Sequence, residues 1–300
     1  MKVSIIIPTY NRSQILCKTL ANIILFERQY YELIVVDQTK KHDPQTRQYL
    51  DKLITEKKIK YIYADYPNLP NARNTGIKES SGDIVLFFDD DIEINENTIP
   101  SHISGFSQAD IGCVTGKVTV QNTEKRRNKR TLKNIIKFIF FIFLKKKAAY
   151  VGRLGILSNF TRNKSLPCDT CIGCNMSFRK EVFKKCGLFD VKFTGNAVRE
   201  ESDLSFRLRG CGYKIIYIPQ ASVIHYINNT GGTRADAKEL YWLAVFKNQC
   251  YFYLKNFHYS RLSIMFIHLF DFIKCRQQGL KVMPIFLKAY RAAFNEAKNK

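Results

Sequence analysis

The sequence predicts an α/β protein with a mostly parallel sheet flanked by helices, followed by a C-terminal helical extension. Strand-like and helix-like patterns alternate through the first hundred residues, which is typical of βαβ units. The strand-like segments are continuous apolar runs, as expected of parallel strands buried on both faces. Residues beyond about 235 show helical, amphipathic spacing and a basic end. With 300 residues, 45% of them hydrophobic, the chain can bury a sizeable core.

The first hundred residues contain four predicted strands with helices between them. The strands are expected at residues 3–7, 33–36, 59–63 and 84–88. The helices are expected at residues 13–26, 44–57 and 71–80. Ser13 is a suitable cap for the first helix, and Gly82 terminates the third. Ligands of such sheets gather at the carboxyl ends of the strands, where Asp37 and the run 89–91 stand.

The pattern changes after Val120. We expect a strand near residues 171–178, a helix from Lys180, a charged helix at 200–209 and strands at 214–218 and 221–226. The sequence shows no internal repeat and no low-complexity linker. One domain over residues 1–230 with a helical extension over 231–300 therefore fits better than two independent domains.

The chain is strongly basic, with 48 Lys and Arg against 26 Asp and Glu, a formal net charge of +22. This excess indicates an anionic partner: nucleic acid, an anionic membrane face or a phosphorylated small molecule. Ten of the basic residues lie within residues 124–147, around the apolar run 135–144. No apolar run reaches the roughly 18 residues of a spanning helix, so we expect a peripheral rather than an integral membrane protein.

Nine cysteines, an odd number, and a start that lacks a signal-peptide pattern predict a reducing, cytoplasmic location with free thiols. Cys168, Cys171 and Cys174 have a spacing that resembles a metal site. A closed zinc site needs a fourth ligand, for which Cys186 and His225 are candidates. Burial as apolar thiols is the simpler interpretation.

Asp89, Asp90 and Asp91 directly follow the apolar strand 84–88. Three adjacent carboxylates repel one another, so the cluster is costly without a cation. Asp89 and Asp91 alternate to the same side of an extended backbone and could reach one hard divalent ion. A solvated acidic turn is the alternative, which the position at the end of a buried strand disfavours.

Other polar residues have more than one interpretation. Asp37 could accept hydrogen bonds from a ribose or base, or cap a turn; Arg73 could pair with a phosphate, with the Asp cluster or with a surface carboxylate. The acidic start of the helix at 200–209 could match the helix dipole or supply a general base. His225 ends a strand and could be a third metal ligand or a structural histidine.

Taken together, these segments resemble family 2 glycosyltransferases in content and order, over roughly residues 3–230. The N-terminal motifs are 3–12 (VSIIIPTYNR), 35–37 (VVD), 71–76 (NARNTG) and 89–91 (DDD). The later motifs are 173–179 (GCNMSFR), 187–190 (GLFD), 200–207 (EESDLSFR), 212–213 (GY) and 219–225 (PQASVIH). The resemblance implies the GT-A fold, a Rossmann-like, mixed and mostly parallel sheet flanked by helices. It also implies a nucleotide-sugar-binding half at 1–120 and an acceptor-binding half at 121–230.

The resemblance also implies roles for individual residues. Nucleotide-sugar binding falls to Pro8, Tyr10, Arg12, Asp37, Arg73, Asp89 and Asp90. Metal binding, with Mg²⁺ or Mn²⁺ expected, falls to Asp89, Asp91 and His225. Glu201 stands where the family usually has the Asp of a Glu-Asp pair that supplies the catalytic base, with Glu200 and Asp203 as alternatives. Cys174 stands at a small-residue position of the acceptor-side loop.

The resemblance implies an inverting, metal-dependent enzyme that adds one sugar per encounter, because the Gln-x-x-Arg-Trp signature of processive synthases is absent. The expected donor is a UDP-sugar, and the expected acceptor is a lipid-linked or nascent polysaccharide at the inner face of the cell membrane. A basic nucleic-acid-binding protein is one alternative, although no known binding module is present and the acidic cluster would repel DNA. A nucleotidyltransferase is another, although residues 8–12 replace its Gly-rich loop.

Overall fold

A computed structural model describes residues 1–122, 147–152, 155–227, 231–232, 238–257 and 261–298. The described strands are β1 (Val3–Thr9), β2 (Glu32–Asp37), β3 (Lys60–Tyr63), β4 (Ile84–Phe88), β5 (Ile92–Ile94), β6 (Ile111–Asn122), β7 (Ala149–Gly152), β8 (Gly155–Ser158), β9 (Leu166–Cys168), β10 (Asn175–Arg179) and β11 (Lys214–Ile227). They form one sheet in the order β3-β2-β1-β4-β10-β6-β11-β9-β7-β8, and β5 pairs with β11.

The N-terminal half of the sheet is parallel. Strand β1 pairs in parallel with β2 and β4, and β2 pairs in parallel with β3. Every residue of β1 and β4 is buried, which explains their continuous apolar sequences. Strand β10 runs antiparallel between β4 and β6, so the whole sheet is mixed. The predicted fold class is confirmed.

Two features of the strands predicted after Val120 differ from the structure. The strands expected at 214–218 and 221–226 are one long strand, β11, whose register against β6 shifts between Ile218 and Val223. Pro219 lies in this interval and has no N–H for the ladder, which favours an irregularity there. The strand expected near residue 171 begins at Asn175, because Gly173 and Cys174 form a turn.

The described helices are α1 (Ser13–Ile24), α2 (Pro44–Thr55), α3 (Leu69–Glu79), α4 (Thr98–Ser104), α5 (Val182–Cys186), α6 (Glu200–Gly210), α7 (Lys238–Phe257), α8 (Arg261–Ile267), α9 (Leu269–Gln277) and α10 (Val282–Lys298). A short 3₁₀ helix spans Glu27–Gln29. Helix α3 starts two residues before its predicted start, because the Asn68 side chain accepts a hydrogen bond from the Asn71 amide at 2.8 Å and caps it.

The C-terminal helices have an apolar core of their own, rich in aromatic side chains. Trp242, Phe246, Phe252 and Phe286 are buried in it. None of the helices in the described ranges combines the length and the apolar character needed to cross a bilayer. The basic segment 124–147, to which the sequence assigns membrane contact, lies outside the described residues except for Lys147.

Candidate active site

A polar pocket lies at the carboxyl ends of β1 and β4. Among the described residues, this pocket is lined by Pro8, Thr9, Tyr10, Arg12, Gln38, Leu69, Asp89, Asp90, Asp91, His225 and Gly232. Seven of these were candidates from the sequence; Thr9, Gln38, Leu69 and Gly232 were not. Thr9 lies within the motif at 3–12 and Gln38 directly follows Asp37, so these two could have been found from their positions at strand ends.

Asp91 is the centre of the acidic cluster. Its Oδ2 accepts a hydrogen bond from Arg12 Nη1 at 2.8 Å, and its Oδ1 lies 2.9 Å from His225 Nε2. Burial favours a raised pKa, but the contacts with His225 and Arg12 outweigh it and hold the pKa of Asp91 below its usual range. Asp91 therefore stays ionised at neutral pH.

Strand pairing brings His225 to this cluster. In the antiparallel β5–β11 pair, His225 lies opposite Ile92, the residue after Asp91. The ligand atoms of Asp89, Asp91 and His225 all lie within 4.8 Å of one another. Two carboxylate oxygens and one imidazole nitrogen are a suitable donor set for Mn²⁺ or Mg²⁺. The residues present therefore fit the divalent ion that the sequence predicts.

Asp90 points to the other side of the cluster. Its Oδ2 accepts a hydrogen bond from the Thr9 hydroxyl at 2.6 Å, and its backbone carbonyl accepts one from the Thr19 hydroxyl at 2.8 Å. Burial raises the pKa of the Asp90 carboxyl to about 7. These contacts tie the acidic turn to β1 and α1.

The loop after β1 forms one wall of the pocket. Asn11 has a φ of +52°, a conformation that Asn tolerates better than most residues. Its amide donates to the Thr39 hydroxyl at 2.8 Å. The Gly232 amide donates to the Tyr10 carbonyl at 2.8 Å, so Gly232 lies against this loop. The Gly231 carbonyl accepts a hydrogen bond from Arg12 Nη2 at 3.3 Å, which helps to hold Arg12 beside Asp91.

Asp37 lies at the end of β2, as predicted, but is completely buried. Its carboxylate lies 2.6 Å from His42 Nε2, accepts the Thr39 amide at 2.7 Å and accepts the Tyr61 hydroxyl at 3.2 Å. It does not line the pocket formed by the described residues. In this structure Asp37 holds the loop that follows β2.

Arg73 is only 1% exposed, although the sequence places it near a diphosphate. One guanidinium nitrogen lies 3.5 Å from Asp89 Oδ1 and 3.0 Å from the Gly173 carbonyl, and the other pairs with Glu200. Burial lowers the pKa of Arg73, and the carboxylates around it oppose that change. Arg73 therefore links the acidic cluster to the first turn of α6.

Glu201, the next residue of α6, is only part-buried. Burial raises the pKa of its carboxyl above the usual range, while Arg199 and Arg73 favour the charged form. Arg199, just before the helix, has a φ of +79°, a strained conformation for a residue with a side chain. This turn sets the direction in which α6 begins.

Asp203 faces the C-terminal helices instead. Its carboxylate contacts Lys255 Nζ at 2.8 Å, Asn256 Nδ2 at 3.0 Å and Arg207 Nε at 3.0 Å. Lys255 also pairs with Asp190 at 2.7 Å. Sequence reasoning missed this network, because no local pattern connects α7 to residues some fifty positions earlier.

All nine cysteines are free, as predicted. Cys168, Cys171 and Cys174 are buried, and burial raises the pKa of Cys168 to about 12. Within the described ranges, Asp89, Asp91 and His225 form the only group with metal-ligand geometry. The burial of these three thiols agrees with the buried-thiol interpretation.

The family model of glycosyl transferase family 2 matches residues 4–187, which is more than half of the chain. The chain belongs to glycosyl transferase family 2. The predicted family is thus confirmed, and neither the nucleic-acid-binding nor the nucleotidyltransferase alternative is favoured.

Curated relatives include several glycosyltransferases. The O-antigen biosynthesis protein RfbC of Myxococcus xanthus is 26% identical over 254 residues, which are 81% of this chain but 19% of RfbC. The uncharacterized glycosyltransferase YwdF of Bacillus subtilis is 25% identical, with 78% of each chain covered. The GalNAc(5)-diNAcBac-PP-undecaprenol β-1,3-glucosyltransferase of Campylobacter jejuni is 35% identical over 96 residues, 31% of this chain and 30% of that protein.

Solved structures place this family 2 chain in the GT-A fold. S. aureus TarS 1–349 in complex with UDP-GlcNAc has a TM-score of 0.61 at 16% identity, covering 96% of this chain and 79% of that one. The mannosyltransferase PcManGT of Pyrobaculum calidifontis, in complex with GDP-Man and Mn²⁺, has a TM-score of 0.59 at 16% identity, covering 99% and 75%.

Arg12 and a divalent ion would compete for Asp91, since the guanidinium holds one of its two oxygens. Replacing Arg12 with Gln should therefore tighten Mn²⁺ binding in the absence of nucleotide by about tenfold, which corresponds to about 1.4 kcal/mol. The electron paramagnetic resonance signal of free Mn²⁺ measures the affinity. The matched control is Arg47→Gln, which removes an exposed Arg–Asp pair in α2. Unchanged or weaker Mn²⁺ binding in Arg12→Gln would contradict this competition.

Proposed function

We propose that this glycosyltransferase moves one sugar per encounter from a UDP-sugar, with inversion, to a lipid-linked or nascent polysaccharide acceptor. The observation that supports this most is the pocket in which Asp89, Asp91 and His225 converge beside the loop after β1. The names of RfbC and the Campylobacter enzyme suggest the acceptor class, and the complex of TarS with UDP-GlcNAc suggests the donor class. The site of action in this proposal is the cytoplasmic face of the membrane.

Each residue has a role in the proposed reaction. Pro8, Tyr10 and Arg12 contact the nucleotide and its diphosphate, and Asp90 keeps the acidic turn in place. Asp37 shapes the end of the pocket that receives the base or ribose by holding Thr39 and His42. Arg73 acts from inside the protein by fixing Asp89 relative to α6.

Glu201 is the proposed base. It removes the proton from the acceptor hydroxyl while that oxygen attacks the anomeric carbon and the bond to the diphosphate oxygen breaks. A bound Mg²⁺ or Mn²⁺, held by Asp89, Asp91 and His225, would neutralise the charge that develops on the leaving diphosphate. Glu200 and Asp203 are engaged by Arg73 and Lys255, so Glu201 is the acidic residue of this turn with the fewest competing partners.

Thermal unfolding in the presence of nucleotide sugars tests the donor class. UDP-GlcNAc and UDP-glucose with Mn²⁺ should stabilise the protein, by about 2.7 kcal/mol at a hundred times the dissociation constant. GDP-mannose and the same UDP-sugars with EDTA serve as controls and should give a smaller shift. Stabilisation by GDP-mannose alone would overturn the UDP assignment. Stabilisation by generic DNA but by no nucleotide sugar would overturn the proposed function.

A further inference from the structure

The outward side of α10 carries an apolar stripe. Met283, Leu287, Tyr290 and Phe294 recur at intervals of four, three and four, which places them on one line along the helix. Met283 is 43% exposed and Phe294 38%, and Tyr290 stacks on Phe294 with ring centroids 6.1 Å apart. The side facing the protein is filled by buried residues such as Phe286, and Leu287 and Tyr290 lie partly buried against them. Met283 and Phe294 are the members of the stripe that extend furthest into solvent.

A basic stripe lies beside the apolar one. Lys288, Arg291 and Lys298 are exposed and lie along the same outward half of the helix. The acidic residue of α10, Glu296, turns inward and pairs with Lys247 at 2.8 Å. The outward half of α10 is therefore apolar along one edge and cationic along the other.

We propose that this face of α10 docks on an anionic lipid bilayer, with the apolar stripe in the headgroup region and the basic stripe on the lipid phosphates. Charge complementarity selects this partner. A second copy of the chain would bring one basic stripe against another, and a nucleic acid would leave the apolar stripe in water. Leu262 and Ile273 on the neighbouring helices are also exposed.

Flotation of the full-length chain with vesicles tests this docking, and it needs no nucleotide sugar. The chain should float with phosphatidylglycerol vesicles and not with phosphatidylcholine vesicles. Lys288→Glu with Arg291→Glu should reduce vesicle binding by about tenfold or more, because each basic residue near an anionic surface strengthens binding. Met283→Ser with Phe294→Ser, measured separately, should also reduce binding by about tenfold or more, because it removes the apolar side chains proposed to enter the headgroup region. The matched control, Lys18→Glu with Leu25→Ser, changes an exposed basic and an exposed apolar residue of the α1 region and should bind like wild type.

Quenching of tryptophan fluorescence by brominated lipid is a second measurement, for the case that a double variant folds poorly. Phe294→Trp should be quenched by brominated phosphatidylglycerol more strongly than the wild type, whose one tryptophan is the buried Trp242. Absence of wild-type binding to anionic vesicles, equal losses in the control, or full binding by both α10 variants would overturn the proposal. The last result would assign binding to another segment. Because no transfer is measured, failure here leaves the proposed reaction untouched, and failure of the reaction leaves this test intact.

Discussion

Replacing Asp91 with Asn is expected to lower the rate of sugar transfer by about a hundredfold to a thousandfold, the usual loss when one preorganised charge-stabilising group is removed. Asn has nearly the same shape but lacks the charge, and Asp91 is the carboxylate on which Arg12 and His225 both converge. The transfer rate is measured as nucleoside diphosphate released in the presence of acceptor and Mn²⁺. Mn²⁺ affinity, measured separately, should also fall.

Asp51→Asn is the matched control for this change, because Asp51 is an exposed, arginine-paired aspartate on α2. It should leave both rate and Mn²⁺ affinity unchanged. Thermal melts of both variants identify any general loss of folding. Undiminished transfer by Asp91→Asn would remove Asp91 from the proposed metal site.

Glu201→Gln is expected to lower the rate about 10²- to 10⁴-fold, the range for loss of a general base, with little effect on stability. Because burial raises the pKa of Glu201, the wild-type rate should fall as pH drops through a value above the roughly 4.3 of an ordinary glutamate. The sign follows from the role: a base works only when deprotonated. This fall in rate at low pH, the acid limb of the pH profile, should be absent from the residual rate of Glu201→Gln.

Glu200→Gln is the contrasting variant, because it changes the neighbouring glutamate in the same way and leaves Glu201 in place. Glu200 is 2% exposed and pairs with the buried Arg73, so its loss leaves the more distant Asp89 carboxylate, 3.5 Å away, to compensate the buried guanidinium. We expect this variant to lose about 3–5 kcal/mol of stability. A normal melting temperature with a lost acid limb in Glu200→Gln would transfer the role of base from Glu201 to Glu200.

The nucleotide-sugar-binding half of the fold, residues 1–120, was predictable because the sequence patterns that indicate its strands are local. Buried parallel strands require continuous apolar runs, and these runs located β1, β2 and β4 within two residues. The resemblance to family 2 glycosyltransferases then indicated Pro8, Tyr10 and Arg12, which line the pocket. The boundaries that differed depended on non-local pairing, as in the single long strand β11 with its register shift around Pro219.

Burial was the property that local sequence did not reveal. Asp37 and Arg73 are polar residues at strand and helix positions that typically face a ligand, yet both are almost fully buried among protein partners. A sequence records that a charge is present, but the partner that compensates it comes from elsewhere in the chain. For Arg73 these partners are Asp89, Gly173 and Glu200.

The sequence by itself determined the fold class, the family and the acidic cluster at the end of β4, because periodicity and short motifs are properties of neighbouring residues. Only the tertiary structure showed that the β5–β11 pairing places His225 2.9 Å from Asp91, and only it distinguished Glu200 from Glu201. Successive residues of a helix point about 100° apart, so one of two adjacent glutamates can be locked in an ion pair while the other stays available. Which of them is locked depends on the packing of α6 against Arg73, and packing exists only in the folded chain.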